Sequence, residues 1–274
     1  MERFREALEE MDHTAASVAT ESTAKPTRKL AFVDALDAVL ITVLIAVFGT
    51  TFVVQAFKIP SESMEPTLLV GDHLLVNKFI FGGRGEWYEK MLPYRRIRHG
   101  DIVIFKFPYD DHPDYIKRVI GLPEDRIRIA DKQVLVNGNP LIEPYAEYVE
   151  PYPSFAGDTL LDRFPPENGD SLAGIRPEWA AKIAEYVRDG ELLIPANCYF
   201  VLGDNREDSL DSRYWGFVSK DSIIGRPVVI YWSVQADAED YVDQSVFGAV
   251  AGVFQAFPYI PSRTRWQRIL REVH

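Results

Sequence analysis

The sequence predicts a mainly β protein with an N-terminal transmembrane helix, an antiparallel β domain after it, and an α+β subdomain inserted into that domain. Three observations carry this expectation. Ala38 to Phe57 is a run of 20 residues without a charge. From Gly71 onward, short β-branched runs alternate with turn signals. Glu143 to Asn197 then shifts to Pro, Tyr, Asp and Glu. The expected division is residues 1–37 as a cytoplasmic polar tail, 38–57 as the transmembrane helix, 58–142 with 198–274 as the β domain, and 143–197 as the insert.

In the tail, Glu2 to Asp12 reads as a short charged helix, and Thr14 to Thr27 has the composition of a disordered segment. Lys25, Arg28 and Lys29 form a basic cluster ahead of the apolar run. At about 1.5 Å per residue, the charge-free run is long enough for a bilayer core. The basic cluster places the N-terminus in the cytoplasm and everything after Phe57 outside.

Strands are expected at Leu74 to Val76, Asp101 to Phe107, Tyr115 to Ile120, Tyr199 to Leu202 and Arg226 to Val234. Arg126 to Ile129 and Gln133 to Val136 read as a hairpin, and Asn137–Gly138 is a further turn signal. Pro177 to Asp189 has helical spacing, with Pro at its start and Gly190 after it. Val246 to Ile260 is apolar but, at 15 residues, too short to span. It suits packing on the core or lying in the membrane interface.

Composition excludes several function classes. A net charge of −11 disfavours nucleic acid as a partner. One cysteine, Cys198, allows neither an intrachain disulfide nor a cysteine metal cluster. The chain has no Gly-rich phosphate loop and no HExxH. No metal and no cofactor are expected.

The chemistry centres on Phe57 to Leu68, FKIPSESMEPTL. Pro60 and Pro66 stiffen the segment around Ser61 and Ser63 and keep it out of a helix interior. Alone, the stretch reads first as a Ser/Pro-rich linker. Three more stretches change that reading: GDHLLVNKF from Gly71, DYIKRVIGLP ending at Pro123, and GDNREDSLDSRYWGFV from Gly203. In content, spacing and order, the four resemble the sequence boxes of type I signal peptidases, membrane-bound serine proteases that cleave secretory signal peptides.

The resemblance implies a Ser-Lys dyad, with Ser63 as nucleophile and Lys117 as general base. It implies an oxyanion hole from the Ser61 hydroxyl and the Ser63 backbone N–H. Ser209 matches the serine that orients the lysine amine, and Asp211 with Arg213 matches a supporting acid–base pair. Phe57, Ile59, Met64, Leu68, Ile104, Tyr115 and Ile116 fall at positions lining the substrate pockets. The implied activity is removal of signal peptides from preproteins after small residues. Preprotein signal peptides and membrane lipid are the implied partners. Neither the insert nor the C-terminal tail carries a motif of the family.

The residues themselves suit that chemistry. A lysine base must be neutral, and burial lowers its pKa by penalising the charged form. Lys117 lies among Ile116, Val119 and Ile120, so strand alternation can turn it to a buried face. Rival sites are weaker. His73, His99 and His112 are the histidines able to serve a Ser-His-Asp site. Asp110, Asp111, His112 and Asp114 cluster without the spacing of a metal site. A self-cleaving regulator would need a DNA-binding domain where the anchor stands. A non-enzymatic anchored binding protein has no need of Ser63, Lys117 and Ser209 together.

Overall fold

The computed structural model describes residues 28–49, 54–81, 94–109, 114–148, 160–167, 174–235 and 260–274. The tail helix expected at 2–12, the segment 14–27, His112 and the apolar stretch up to residue 259 lie outside the described residues. The chain divides into two units, Met1–Thr50 and Thr51–His274.

The first unit holds one helix, α1 (Arg28–Phe48). Between Val33 and Ile45 its side chains are exposed all round, Leu40, Leu44 and Ile45 the most among its apolar ones. The apolar run does not stay helical to Phe57. Val54–Lys58 is strand β1, paired antiparallel with Asp72–Asn77, strand β2, from Val54↔Asn77 to Lys58↔His73. The physical reason is that Val54, Ala56 and Phe57 suit either state, and the ladder to β2 offers their backbone a partner. Among the described residues, no helix is long and apolar enough to cross a membrane.

The second unit contains two antiparallel sheets. In chain order its further strands are β3 (Ile102–Phe105), β4 (Tyr115–Gly121), β5 (Arg126–Ala130), β6 (Gln133–Val136), β7 (Asn139–Pro140) and β8 (Arg163–Phe164). Then come β9 (Val187–Arg188), β10 (Glu191–Leu193), β11 (Cys198–Leu202), β12 (Val218–Ser219), β13 (Ile223–Ser233) and β14 (Arg271–Glu272). The first sheet runs β1-β2-β13-β3-β4-β11-β12, with β14 on β13. The second runs β7-β6-β5-β10-β9, with β8 on β5. It begins at Arg126, ahead of the boundary expected at 143, because the hairpin 126–136 takes strands of the insert as its own neighbours.

The turns follow from sequence. Asp131 and Lys132 both have positive φ, as do Asn137 and Gly138, and each pair closes a two-residue hairpin. Pro177 to Asp189 does not form the single helix expected. It breaks into α2 (Pro177–Ala180), α3 (Ile183–Tyr186) and β9, which turns back through Asp189–Gly190 onto β10. Trp179 and Ile183 are buried there, so one-turn pieces suffice to place them while β9 completes the sheet edge.

The 11-residue β13 links two cores. Its C-terminal half pairs with β2 and its first residues pair with β3. The larger core lies under β3, β4, β11 and the second sheet, and includes Phe105, Ile127, Phe164 and Phe200. Gly121 lets the sheets approach, since a Cβ there would stand 2.2 Å from Ile194 Cδ1. The smaller core gathers Ile59, Met64, Leu68, Leu74, Ile104 and Ile230 beneath the Ser63 loop.

Candidate active site

Ser63 lies in a 3-10 turn, Glu62–Met64, entered from the extended Ser61 at φ −135 and ψ 158. Glu65, before Pro66, is extended again, as the proline ring demands of its predecessor. Met64 points into the smaller core and anchors the turn. The loop is closed at its base by Ile59 N–H to Asp72 O at 2.8 Å and Gly71 N–H to Ile59 O at 3.0 Å. Ser63 is thus held on a short, stiff turn rather than a free linker.

Lys117 sits on β4, opposite Val103 of β3, and is only 3% exposed. Its Nζ donates to Ser63 Oγ at 2.5 Å. Burial lowers the amine's pKa from 10.5 to about 8, while Asp211 and Asp204 push the other way. In the neutral form the contact reverses, hydroxyl to amine, an arrangement in which an amine can accept the proton of a neighbouring hydroxyl. The Ser61 hydroxyl lies 3.4 Å from Ser63 Oγ. The Ser63 N–H belongs to the first turn of a 3-10 segment, where donors lack acceptors within the turn.

The stretch from Gly203 wraps this pair. A Cβ at Gly203 would stand 2.4 Å from the Ser63 carbonyl oxygen and 2.3 Å from Ser209 Oγ. Asn205 N–H donates to that Ser63 carbonyl at 3.3 Å. Asp211 caps α4 (Ser212–Trp215) and accepts from Arg213 Nε and Nη2 at 2.8 and 2.9 Å. Both are fully enclosed: burial pushes the Asp211 carboxyl up, but Arg213 outweighs it and holds it below its ordinary value. Arg206 pairs with Glu143 at the start of the insert. Arg118 grips Asp204 through Nε and Nη2 at 2.8 and 2.7 Å and stacks 3.9 Å from the Tyr145 ring.

Not every expected contact is present. Ser209 Oγ is buried beside Gly203 but, among the described residues, has no hydrogen-bond partner, Lys117 included. A cavity of about 550 Å³ opens at Ser63 and Lys117. Phe57, Ile59, Met64, Tyr115 and Ile116 line it as expected. Leu68 and Ile104 do not: both are fully buried behind the wall, packed with Met64 and Ile59. Asp114, Asp208 and Leu210 also line the cavity; the sequence placed Asp114 only in a rival acidic cluster and singled out neither of the other two. Their signal was adjacency, since they flank Tyr115 and Ser209 on the same two stretches.

None of the described histidines lines the cavity. His73 packs edge-on to Tyr231, and His99 Nε2 lies 2.7 Å from Asp125 Oδ2 at a hairpin. Among the described residues, no group of three or more His, Cys, Asp or Glu is arranged to hold a metal.

Residues 32–232 match the family described as signal peptidase, peptidase S26. A signal peptidase I from Pseudomonas fluorescens is 35% identical over 197 residues, 67% of this chain and 66% of that protein. The corresponding protein of Pseudomonas aeruginosa is 37% identical over 195 residues, again 67% and 66% of the two chains. A signal peptidase I from Buchnera aphidicola subsp. Baizongia pistaciae is 34% identical over 228 residues, 69% of this chain and 73% of that one. The chain thus spans about two thirds of the length of the Pseudomonas relatives.

Proposed function

This chain belongs to the signal peptidase family, peptidase S26, and from that premise we propose that it is a membrane-anchored serine endopeptidase that removes signal peptides from secreted preproteins. The observation that carries this reading is Lys117 Nζ at 2.5 Å from Ser63 Oγ, with the amine buried and its pKa lowered to about 8.

In the proposed reaction, Ser63 Oγ attacks the carbonyl carbon of the scissile bond. Lys117 takes the hydroxyl proton as the C–O bond forms. The oxyanion is met by the Ser61 hydroxyl and the Ser63 N–H, donors fixed before charge develops. Lys117 then returns the proton to the leaving amine, and the C–N bond breaks. The ester left on Ser63 is hydrolysed by a water that Lys117 deprotonates, which frees the enzyme.

Substrate geometry follows from strand edges. Among the described residues, β1 pairs on one side only, with β2, and the first residues of β4 have β3 alone as neighbour. Both edges border the cavity. An extended segment can therefore add to them through backbone hydrogen bonds, leaving side chains to probe the walls. Phe57, Ile59, Met64 and Ile116 then limit side-chain size, which suits a small residue next to the cut.

Anchoring rests on the charge-free Ala38 to Phe57 and on the exposed apolar side chains of α1. The basic cluster at Lys25, Arg28 and Lys29 favours a cytoplasmic N-terminus and an extracytoplasmic catalytic unit. Signal peptides and lipid are the proposed partners, and the net charge of −11 speaks against nucleic acid.

The test is cleavage of a model preprotein by the wild type, Ser63→Ala and Lys117→Ala. The wild type should cut after a small residue, and both variants should be inert while keeping the native circular dichroism spectrum. An active Lys117→Ala enzyme would remove the proposed base.

A further inference from the structure

The family match ends at residue 232, yet the described tail from Ile260 to His274 is fastened to the loop that carries Ser63. Arg268, in a 3-10 turn at Trp266–Arg268, is buried, at 9% exposed. Its Nη2 donates to Thr67 O at 2.9 Å and to Asp72 Oδ2 at 2.5 Å, and its Nε to Asp72 Oδ1 at 3.1 Å. Asp72 is fully buried and also accepts from Leu69 N–H at 2.9 Å and Ser233 Oγ at 2.6 Å. Arg265 Nη1 donates to Val70 O at 2.9 Å. The tail therefore meets two carbonyls and the one carboxylate at the closing end of the Ile59 to Asp72 loop.

These contacts run on to the reacting atoms. Leu68 N–H donates to Met64 O at 2.9 Å, next to Ser63. Thr67 Oγ1 donates to Asp204 Oδ2 at 2.5 Å, and Asp204 follows the Gly203 that presses on the Ser63 carbonyl. We propose that Arg268 is a positioning residue for catalysis: by clamping Thr67 and Asp72 it fixes the loop that sets Ser63 Oγ against Lys117 Nζ. Arg268 does not line the cavity, so it acts through the loop and not on the substrate. A planar fork suits the task, since one guanidinium spans a carboxylate and a carbonyl together.

The inference rests on the Ser63–Lys117 reading, and the experiment separates the two. Steady-state cleavage of a model preprotein is measured for Arg268→Ala, Arg268→Lys and, as a control, the exposed tail variant Arg271→Ala. Rates are normalised to the folded fraction from near-UV circular dichroism. Arg268→Ala should lower kcat about 10- to 100-fold with KM near the wild-type value, because misplacing a reacting group penalises the chemical step. Arg268→Lys keeps the charge but loses the fork, and should recover only part of the rate. Arg271→Ala should match the wild type. If Arg268→Ala does not fold, Arg268→Lys decides by the same kcat criterion. Wild-type kcat per folded molecule, with only the melting temperature lowered, makes Arg268 purely structural and overturns the proposal. So does a rise in KM at unchanged kcat. An active Lys117→Ala enzyme would instead sink the dyad and leave nothing for Arg268 to position.

Discussion

The second sheet and the Ser63 end of the first sheet bury different things. Between β5, β8, β10 and β11 the interior is apolar: Ile127, Phe164, Leu192 and Phe200 fill it, with the Phe164 and Phe200 rings 5.4 Å apart. Around Ser63 the interior holds Lys117, Arg118, Asp204, Asp211 and Arg213 within the same kind of antiparallel framework. Apolar burial stabilises without direction, at about 25 cal/mol per Å². Buried charges give up hydration and recover it only through well-placed partners. One region therefore supplies stability, and the other uses it to hold an amine away from water.

The largest effect that breaks this comparison is on rate. Lys117→Arg keeps a charge and approximate length, but arginine stays protonated and cannot accept the Ser63 proton. We expect kcat/KM to fall by about 10³-fold or more at every pH tested. In the wild type kcat/KM should rise with pH to a midpoint near 8, where Lys117 becomes neutral. Retained activity in Lys117→Arg with the same pH limb would place the base elsewhere.

Next in size is a matched pair of stability changes. Asp211→Asn removes the counter-charge of the buried Arg213 and should destabilise by about 3–5 kcal/mol. Phe164→Ala empties part of the apolar interior and should lose a comparable 3–5 kcal/mol or so. Denaturant melts give both values, and the pH profile tells the regions apart. Asp211 is the largest influence holding the Lys117 pKa up, ahead of Asp204 and Asp208 and opposed by Arg213. Its neutralisation should move the rising limb to lower pH. Phe164→Ala should leave the limb in place. A limb that moves with Phe164 would mean that the two cores are not separate in function.

The smallest expected effect sharpens the contrast. A folded lysine pKa below its free value means that the unfolded chain binds more protons between pH 8 and 10.5. Lys117 thus weakens the fold fully below pH 8, and the penalty fades as pH rises to 10.5. Lys117→Met should be more stable than the wild type at pH 7 by roughly 3 kcal/mol, taking about 1.4 kcal/mol per pKa unit. That gain should shrink steadily from pH 8 upward in thermal melts. A gain that does not depend on pH would mean that the amine is not desolvated.

Legibility in the sequence followed the range of the interactions. The hairpins closed by Asp131–Lys132 and Asn137–Gly138 depend on adjacent residues and could be read directly. The switch from helix to strand after Phe48 could not, because Val54 to Phe57 continues the apolar composition of α1 and only pairing with β2 decides its state. Lys117 was legible through its motif. The burial of its neighbour Arg118 was not, since its partner Asp204 lies 86 residues away. Leu68 and Ile104 illustrate a finer limit: whether an apolar residue forms a cavity wall or backs one is decided by side-chain direction, which composition does not encode.

With its pKa lowered to about 8, the proposed base Lys117 is protonated in most molecules in neutral surroundings. At pH 7 about one molecule in ten carries the free amine at any instant, and apparent rates scale with that competent fraction. A unit of acidification cuts the working population roughly tenfold again. For a catalytic unit facing outward, as proposed, that population is set by the surrounding medium and not by the buffered cytoplasm. On that proposal, the depth at which one lysine is buried ties the rate of cleavage to the acidity of the surrounding medium.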